Sequence, residues 1–414
     1  MPSALVARAG VSPDQQVFWT SILLICETAT AFAVCPIFGI WIDSSANRKV
    51  PYLVGLIWLA AAMAFFTAAR STTMYIVGRI LQGLASAIVD VAGLALLRDN
   101  VGKDRLGEAL GYAETGRMVG LMAGPPLGGL VNRSGGYYAL CILGFVIVAV
   151  DTVMRLAVEG EEGREQSAIH MQEGVVAAGV EENDRKSTTT VSKTHAEPEP
   201  QEGKKVSFAG LKLLKQPRVI ITLWALGIDG LVLGACDATL PTYVERLFGW
   251  DAFAAGLLFL AMAAPSLLEP LFGRLCDRFG VRIMAVVGFT LYTPTLKVLL
   301  AALLALCGLS ICVALPALYM ESQIVVEKME EQSPGIFGKQ GAVSQAFALQ
   351  TMANYAGLSV GPIIGENLLS RYGWKPMAWT LGALSGVTIL PVFYLGHTSL
   401  RGEEQTGGEQ TGAS

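Results

Sequence analysis

The chain has 414 residues, of which 52% are hydrophobic and only 15% charged, with a formal net charge of -4 and a mean hydropathy of +0.50. Soluble domains carry about 25% charged residues, so the composition excludes an ordinary soluble enzyme, and the acidic balance gives no sign of a nucleic-acid partner. The cysteines lack C-x-x-C spacing and lie in or beside apolar runs, as small buried hydrophobes do. His170, His195 and His397 are far apart in sequence. No catalytic residue, cofactor or metal is therefore expected.

Crossing a bilayer takes about 20 apolar helical residues. Runs of that length fall at Val17–Phe38, Pro51–Ala69, Met74–Leu97, Leu106–Val131 and Tyr137–Val158. After a polar gap they resume at Val219–Tyr243, Ala252–Phe272, Leu296–Val326, Gly341–Leu369 and Lys375–Gly396. Ile283–Tyr292 is apolar too, but a helix that short rises only about 15 Å, half the hydrocarbon core. The expectation is an all-helical, multi-pass membrane protein.

The gap, residues 159–216, is rich in Glu, Lys, Ser, Thr and Pro and reads as a disordered linker. Within it "FAGLKLLKQP" alternates apolar and basic residues, a pattern suited to the membrane surface. The tail, 398–414, is likewise polar. This leaves an N-terminal bundle at 1–158 and a C-terminal bundle at 217–397. Lys and Arg are concentrated on the side of the linker, which the positive-inside rule makes cytoplasmic. Tyr243, Trp250 and Trp374 read as interface anchors.

The halves repeat. "GIWIDSSANRK" (Gly39–Lys49) and "GRLCDRFGVR" (Gly273–Arg282) occupy cytoplasmic loops, and "GLMAGPPLGG" (Gly120–Gly129) is echoed by "GLSVGPIIGE" (Gly357–Glu366) at nearly the same offset. Two unrelated motifs repeating together indicate an internally duplicated transporter. In the glycine motifs, Gly120, Gly124, Gly128 and Gly129, and Gly357, Gly361 and Gly365, form strips where another helix can approach closely. Pro125 and Pro362 set kinks. In the loops, Asp43 and Asp277 sit among basic residues beside helix ends, where they can latch the two bundles. Topology control by the basic residues alone is the alternative.

Ionisable residues inside spans are costly and functional by default. Arg79 and Asp90, 11 residues apart, return to within about 20° of one helix face and can line a cavity wall with Gln82 without touching. Asp229 and Asp237 share the seventh helix, and Glu321 beside Tyr319 can face the cavity from the other half. Glu27 and Glu269 are weaker candidates, and Arg117 also lies within a span. For each, a structural ion pair is the competing explanation.

These residues resemble the major facilitator superfamily, and within it the drug:proton antiporters. Gly39, Asp43, Arg48 and Lys49 match the family's loop between helices two and three, as do Gly273, Asp277, Arg278, Gly280 and Arg282 in the second half. "RILQG" (Arg79–Gly83) matches the fourth-helix motif and "GLMAGPPLGG" the fifth-helix antiporter motif. "CDATLPTYVERLFGW" followed by "GRLCDRFG" looks closest to fungal relatives of vesicular amine transporters. The resemblance implies a fold of two pseudo-repeated helical bundles, a role for Arg79 in proton coupling, and an acidic substrate residue at Asp237. Ser44 and Ala46 depart from the loop pattern, so the first latch is expected to be the weaker.

The family's first helix is expected to be missing and its ninth shortened. The resulting reading is a monomeric secondary transporter of the plasma membrane or a vacuolar or vesicular membrane. It would exchange protons for small organic cations or drug-like compounds across the lipid bilayer. The alternatives are a uniporter or symporter of another small solute, and a non-transporting truncated protein or sensor.

Overall fold

The computed structural model describes residues 8–12, 15–45, 47–101, 105–181, 210–248, 264–271, 297–337 and 341–410, with Leu260, Arg274 and Arg278. Among them the long helices are α1 (Gln16–Ser44), α2 (Lys49–Ala68), α3 (Thr72–Val101), α4 (Leu106–Glu181), α5 (Pro217–Phe248), α6 (Lys297–Gln332), α7 (Val343–Tyr372) and α8 (Trp374–Gln410). A single helical turn covers Gly210–Leu213, and a 3-10 turn covers Ala264–Leu268.

The expected spans map onto these helices. Among the described residues, six segments are long and apolar enough to cross a membrane: Trp19–Ser44, Lys49–Ala68, Thr72–Val101, Ser134–Arg155, Pro217–Leu240 and Cys307–Gln332. The two runs read as Leu106–Val131 and Tyr137–Val158 become arms of α4, divided at Gly136. That residue adopts φ 69° and ψ -167°, a conformation open to glycine without steric cost, so the expected loop shrinks to a kink. The short run Ile283–Tyr292 and most of Ala252–Phe272 lie outside the described residues.

Two expectations change. The linker expected to be disordered from residue 159 begins helical, because α4 continues to Glu181 through a segment of good helix formers, Glu, Gln, Ala, Met and Arg. The tail likewise stays helical to Gln410. Of "FAGLKLLKQP", residues 210–217 are described, and Gly210–Leu213 forms a helical turn docked on neighbouring helices. Leu213 is fully buried against Val325, Val326, Ala346 and Leu349, and Lys212 Nζ donates to the Ile336 carbonyl at 2.7 Å.

The chain divides into two units, Met1–Ile142 with Phe208–Ser414, and Leu143–Ser207. The second is helical to Glu181, where Thr152 Oγ1 donates to the Val148 carbonyl at 2.8 Å. In the first, α7 runs parallel to α5 and antiparallel to α1. A Cβ on Gly357 would overlap the backbone of Gly227 and Leu231, and one on Gly361 the backbone of Leu231 and Ala235; Gly365 abuts Ala235 and Thr239. The contacts advance four residues at a time on both helices, so each turn of α7 seats on a turn of α5. In lipid, where apolar side chains gain little by leaving their surroundings, such backbone approach supplies the dispersion contact that holds helices together.

The first copy of the motif does not pack this way. Gly120 and Gly124 have no neighbour within 4 Å among the described residues, and Gly128 meets only Leu140 of its own helix, at 3.4 Å. Among the described residues the two copies therefore differ in their surroundings.

Gly361→Val is expected to lower the thermal midpoint of the purified protein or prevent its accumulation. Overpacking costs about 1–3 kcal/mol even where side chains can adjust, and here the obstacle is backbone. Gly386, with nothing within 4 Å, is expected to accept Ala with no loss. Equal midpoints for Gly361→Val and the parent, measured by size-exclusion after heating, would contradict the seam.

Candidate functional site: a buried charge cluster between the two halves

At the linker-side end, Asp43 near the C-terminus of α1 reaches the start of α7. Its two carboxylate oxygens accept the backbone N–H groups of Ser344 at 2.9 Å and Gln345 at 3.0 Å. These are among the first amides of α7, which no helical carbonyl can satisfy. The residue before the helix, Ala342, provides no side-chain cap. Asp43 therefore caps a helix of the other half, with its charge at the positive end of the helix dipole. Gly39, one turn earlier, lets α1 come this close: a Cβ there would meet Ala348 at 2.6 Å and Gln345 Cα at 3.1 Å.

Arg48 holds Asp43 in place, donating to Asp43 Oδ1 at 3.1 Å and to both Asp99 oxygens at 2.8 and 2.9 Å. Two further ion pairs join the halves: Arg98 on α3 to Glu327 on α6, 2.6 Å, and Arg274 to Glu108 on α4, 2.6 Å. The expected contact between the bundles is thus present, but its Asp43 element is a carboxylate on backbone amides rather than a pair of side-chain charges. Of the second loop motif, Gly273, Asp277, Gly280 and Arg282 lie outside the described residues. Lys49 begins α2.

Deeper along α3, Arg79 pairs with Glu27 of α1 and donates to Gln82 Oε1 at 3.4 Å. It also lies over the Phe66 ring, 5.8 Å from its centroid. Asp90, three turns on, instead accepts the Tyr355 hydroxyl of α7 at 2.6 Å. One turn further along α7, Ser359 Oγ donates to Thr28 Oγ1 of α1 at 2.7 Å.

The central cluster gathers around Arg117 on the first arm of α4. Arg117 is paired with Glu114 at 2.6 Å. Its side chain keeps 38% of its surface accessible. The charges of Arg117 and Glu114 both act on Asp90, Asp229, Glu269 and Tyr319. Asp229 is buried, its Oδ2 without a hydrogen-bond partner among the described residues. Glu269 is fully buried, and neither of its oxygens meets a nitrogen or oxygen donor there, although the Cys312 thiol lies beside it. Three helices and the residue after the 3-10 turn thus direct four carboxylates and a guanidinium to one region, with Tyr319 of α6 beside them.

Asp229, Asp90 and Tyr319 lie within reach of the Arg117 and Glu114 charges, so Asp90 is grouped with these rather than with Arg79 and Gln82. Arg79 and Gln82 form a separate site with Glu27. Asp237 is exposed on α5, away from the glycine seam. Glu321 does not face the cluster: Arg218, at the start of α5, takes it at 2.5 Å. Glu114 and Tyr355 escaped the sequence reading. Opposite charges three residues apart share a helix face, so Glu114 and Arg117 within an apolar run were the available signal; nothing local marks Tyr355. Tyr243 and Trp374, read as anchors, stack on each other at 4.0 Å.

With this geometry in hand, comparison with known proteins is direct. The family model for the Major Facilitator Superfamily matches residues 1–267 and 248–414. An MFS-type transporter of Metarhizium rileyi, ppzB, is 28% identical over 85% of this chain and 81% of its own length. An uncharacterised MFS-type transporter of Schizosaccharomyces pombe is 29% identical over 90% and 85%. The vesicular acetylcholine transporter of Mus musculus is 22% identical over 90% of this chain and 65% of its own. The crystal structure of the human organic anion transporter MFSD10 superposes with a TM-score of 0.60 at 16% identity, over 95% of this chain and 87% of that one, a likeness of fold. The chain is a multi-pass integral membrane protein and belongs to the major facilitator superfamily of transporters.

Proposed function

We propose that the chain exchanges protons for a small organic cation or drug-like compound, by alternating access between its two halves. The observation that carries this reading is the central cluster among the described residues: Asp90, Glu114, Asp229 and Glu269 around the guanidinium of Arg117. Uncompensated charge at bilayer depth is costly, so such a group of acids calls for positive charge beyond Arg117, from protons or from a cationic solute. The two compete for the same carboxylates, and that competition is what couples their movements in opposite directions.

Within that scheme Asp229 and Glu269 are the principal cation acceptors. Glu114 is already matched to Arg117, and Tyr319 offers an aromatic wall. Glu27, Arg79 and Gln82 form a second proton site on the α1–α3 side. Asp237 stands at the accessible margin, where an arriving cation would meet it. The name of the mouse vesicular acetylcholine transporter records an organic cation and supports the same class here. The closed linker-side contacts of Asp43, Arg98 and Glu108 open during the cycle.

The test is uptake of the cationic dye ethidium into proteoliposomes with an acidic interior. Protons leaving the lumen are expected to drive dye inward, and Asp229→Asn is expected to reduce the initial rate about tenfold or more. Uptake indifferent to the pH gradient would favour a uniporter. Binding without flux would favour the non-transporting reading.

The closure has its own test. Ser344 is fully buried beneath the Asp43 contact. In Ser344→Cys protein, labelling by a membrane-impermeant maleimide from the linker side is expected to quicken on adding Asp43→Ala. Loss of a cap is worth about 0.5–2 kcal/mol, or about two- to thirtyfold in rate. An unchanged rate would remove Asp43 from the closure.

A further inference from the structure

The proton-for-cation reading leaves open how occupancy of the acids is transmitted to the separation of the halves. Helix α7 carries the relevant groups on one face. Tyr355 and Ser359 are a single turn apart, so their side chains project about 40° from each other. Tyr355 donates to Asp90 of α3 at 2.6 Å, and Ser359 donates to Thr28 of α1 at 2.7 Å. Both bonds cross from the C-terminal to the N-terminal half, and both lie well inside the helices, away from the linker-side contacts.

The two bonds differ in chemistry. Ser359–Thr28 is a pair of neutral hydroxyls, indifferent to charge. Tyr355–Asp90 is a phenol donating to a carboxylate, a charge-assisted bond roughly twice as strong as a neutral one. Its strength depends on what else the carboxylate holds. A proton added to Asp90 removes the charge and turns one oxygen into a donor. An ammonium group beside it competes for the same lone pairs. Either event weakens the tie, whereas the glycine seam on another face of α7 keeps this helix with α5. The groups around Asp90 are Cys35 of α1, Glu114 and Arg117 of α4, Tyr319 of α6 and Tyr355 of α7, and Glu27 of α1 acts on Tyr355 from the other side; on its own helix Arg79 is three turns away and committed to Glu27.

We propose that Tyr355 is the coupling residue of this transporter: its hydrogen bond to Asp90 ties the halves together in mid-membrane until a proton or an organic cation takes the carboxylate. Tyr355 acts through Asp90 and is a positioning residue. The proposal rests on the cation-exchange reading above, but its test reads separation of the helices rather than flux.

Thr28→Cys with Ser359→Cys, in a background with the native cysteines replaced by alanine, reports that separation by its rate of oxidation to a disulfide. With Asp90 and Tyr355 intact, lowering the pH from 8 to 5, or adding ethidium at pH 8, is expected to slow crosslinking about fivefold. The rate is taken relative to Asp90→Asn at the same pH, which cancels the pH dependence of thiol oxidation. Tyr355→Phe keeps the ring and loses the hydroxyl. It is expected to crosslink slowly already at pH 8 and to respond to neither proton nor dye, while eluting as the parent does on size exclusion. Crosslinking of Tyr355→Phe at the parental rate with the parental response would overturn the proposal. A parental response accompanied by no ethidium flux would instead overturn the exchange reading and leave this one standing. Flux with a crosslink that ignores proton and dye would do the reverse.

Discussion

The structure depends on the seam between α5 and α7. Because Gly357, Gly361 and Gly365 have no side chains, α7 lies directly against the backbone of α5, and in lipid that close approach replaces the hydrophobic driving force available in water. Everything α7 offers to the opposite half is set by this seam. The amides that Asp43 accepts, the Tyr355 hydroxyl and Ser359 all lie on a face about 130° around the helix from the glycines. A shift of α7 along α5 by one turn would move all three groups together and leave none of their partners opposite.

The second constraint is the expense of charge at bilayer depth. The molecule meets it in two ways. Toward the linker, Asp43, Arg48, Asp99, Arg98, Glu327, Arg274 and Glu108 are matched by opposite charges or amides. In the centre, Asp229 Oδ2 and both Glu269 oxygens are buried without such partners among the described residues. Matched charge is what a closure requires, since it is stable until displaced. Unmatched acid is what a binding site requires, since its stabilisation arrives with the solute.

The sequence revealed much of this, and what it hid has physical reasons. Helix positions followed from runs of apolar residues, because a span must satisfy its backbone internally whatever its neighbours. Asp43, Arg79, Asp90 and Asp229 stood out as ionisable groups inside or beside those runs. Partners were harder to read. Tyr355 is unremarkable in "MANYAGL", and only the antiparallel register of α1 and α7, with α3 alongside, brings it to Asp90. Glu321 looked equivalent to Asp229 because both are acids in apolar runs; Arg218, some hundred residues earlier in sequence, decides otherwise. The two glycine motifs read alike, yet packing depends on the surface opposite, and α5 answers the second with Gly227, Gly230 and Gly234. The extended helix to Glu181 shows a composition poor in apolar residues still favouring helix through Glu, Ala and Gln.

The two kinds of contact on α7 respond differently to charge. Glycine packing is dispersion between backbones and does not change when a proton or cation binds. Of the hydrogen bonds on the opposite-half face, those at Asp43 and Asp90 end on carboxylates, and a carboxylate is the group whose hydrogen bonding a cation alters most. One face of the helix is therefore permanent and the other conditional. A helix bonded permanently to its own half and conditionally to the other can carry the state of an acid into the position of a bundle, with no further moving part.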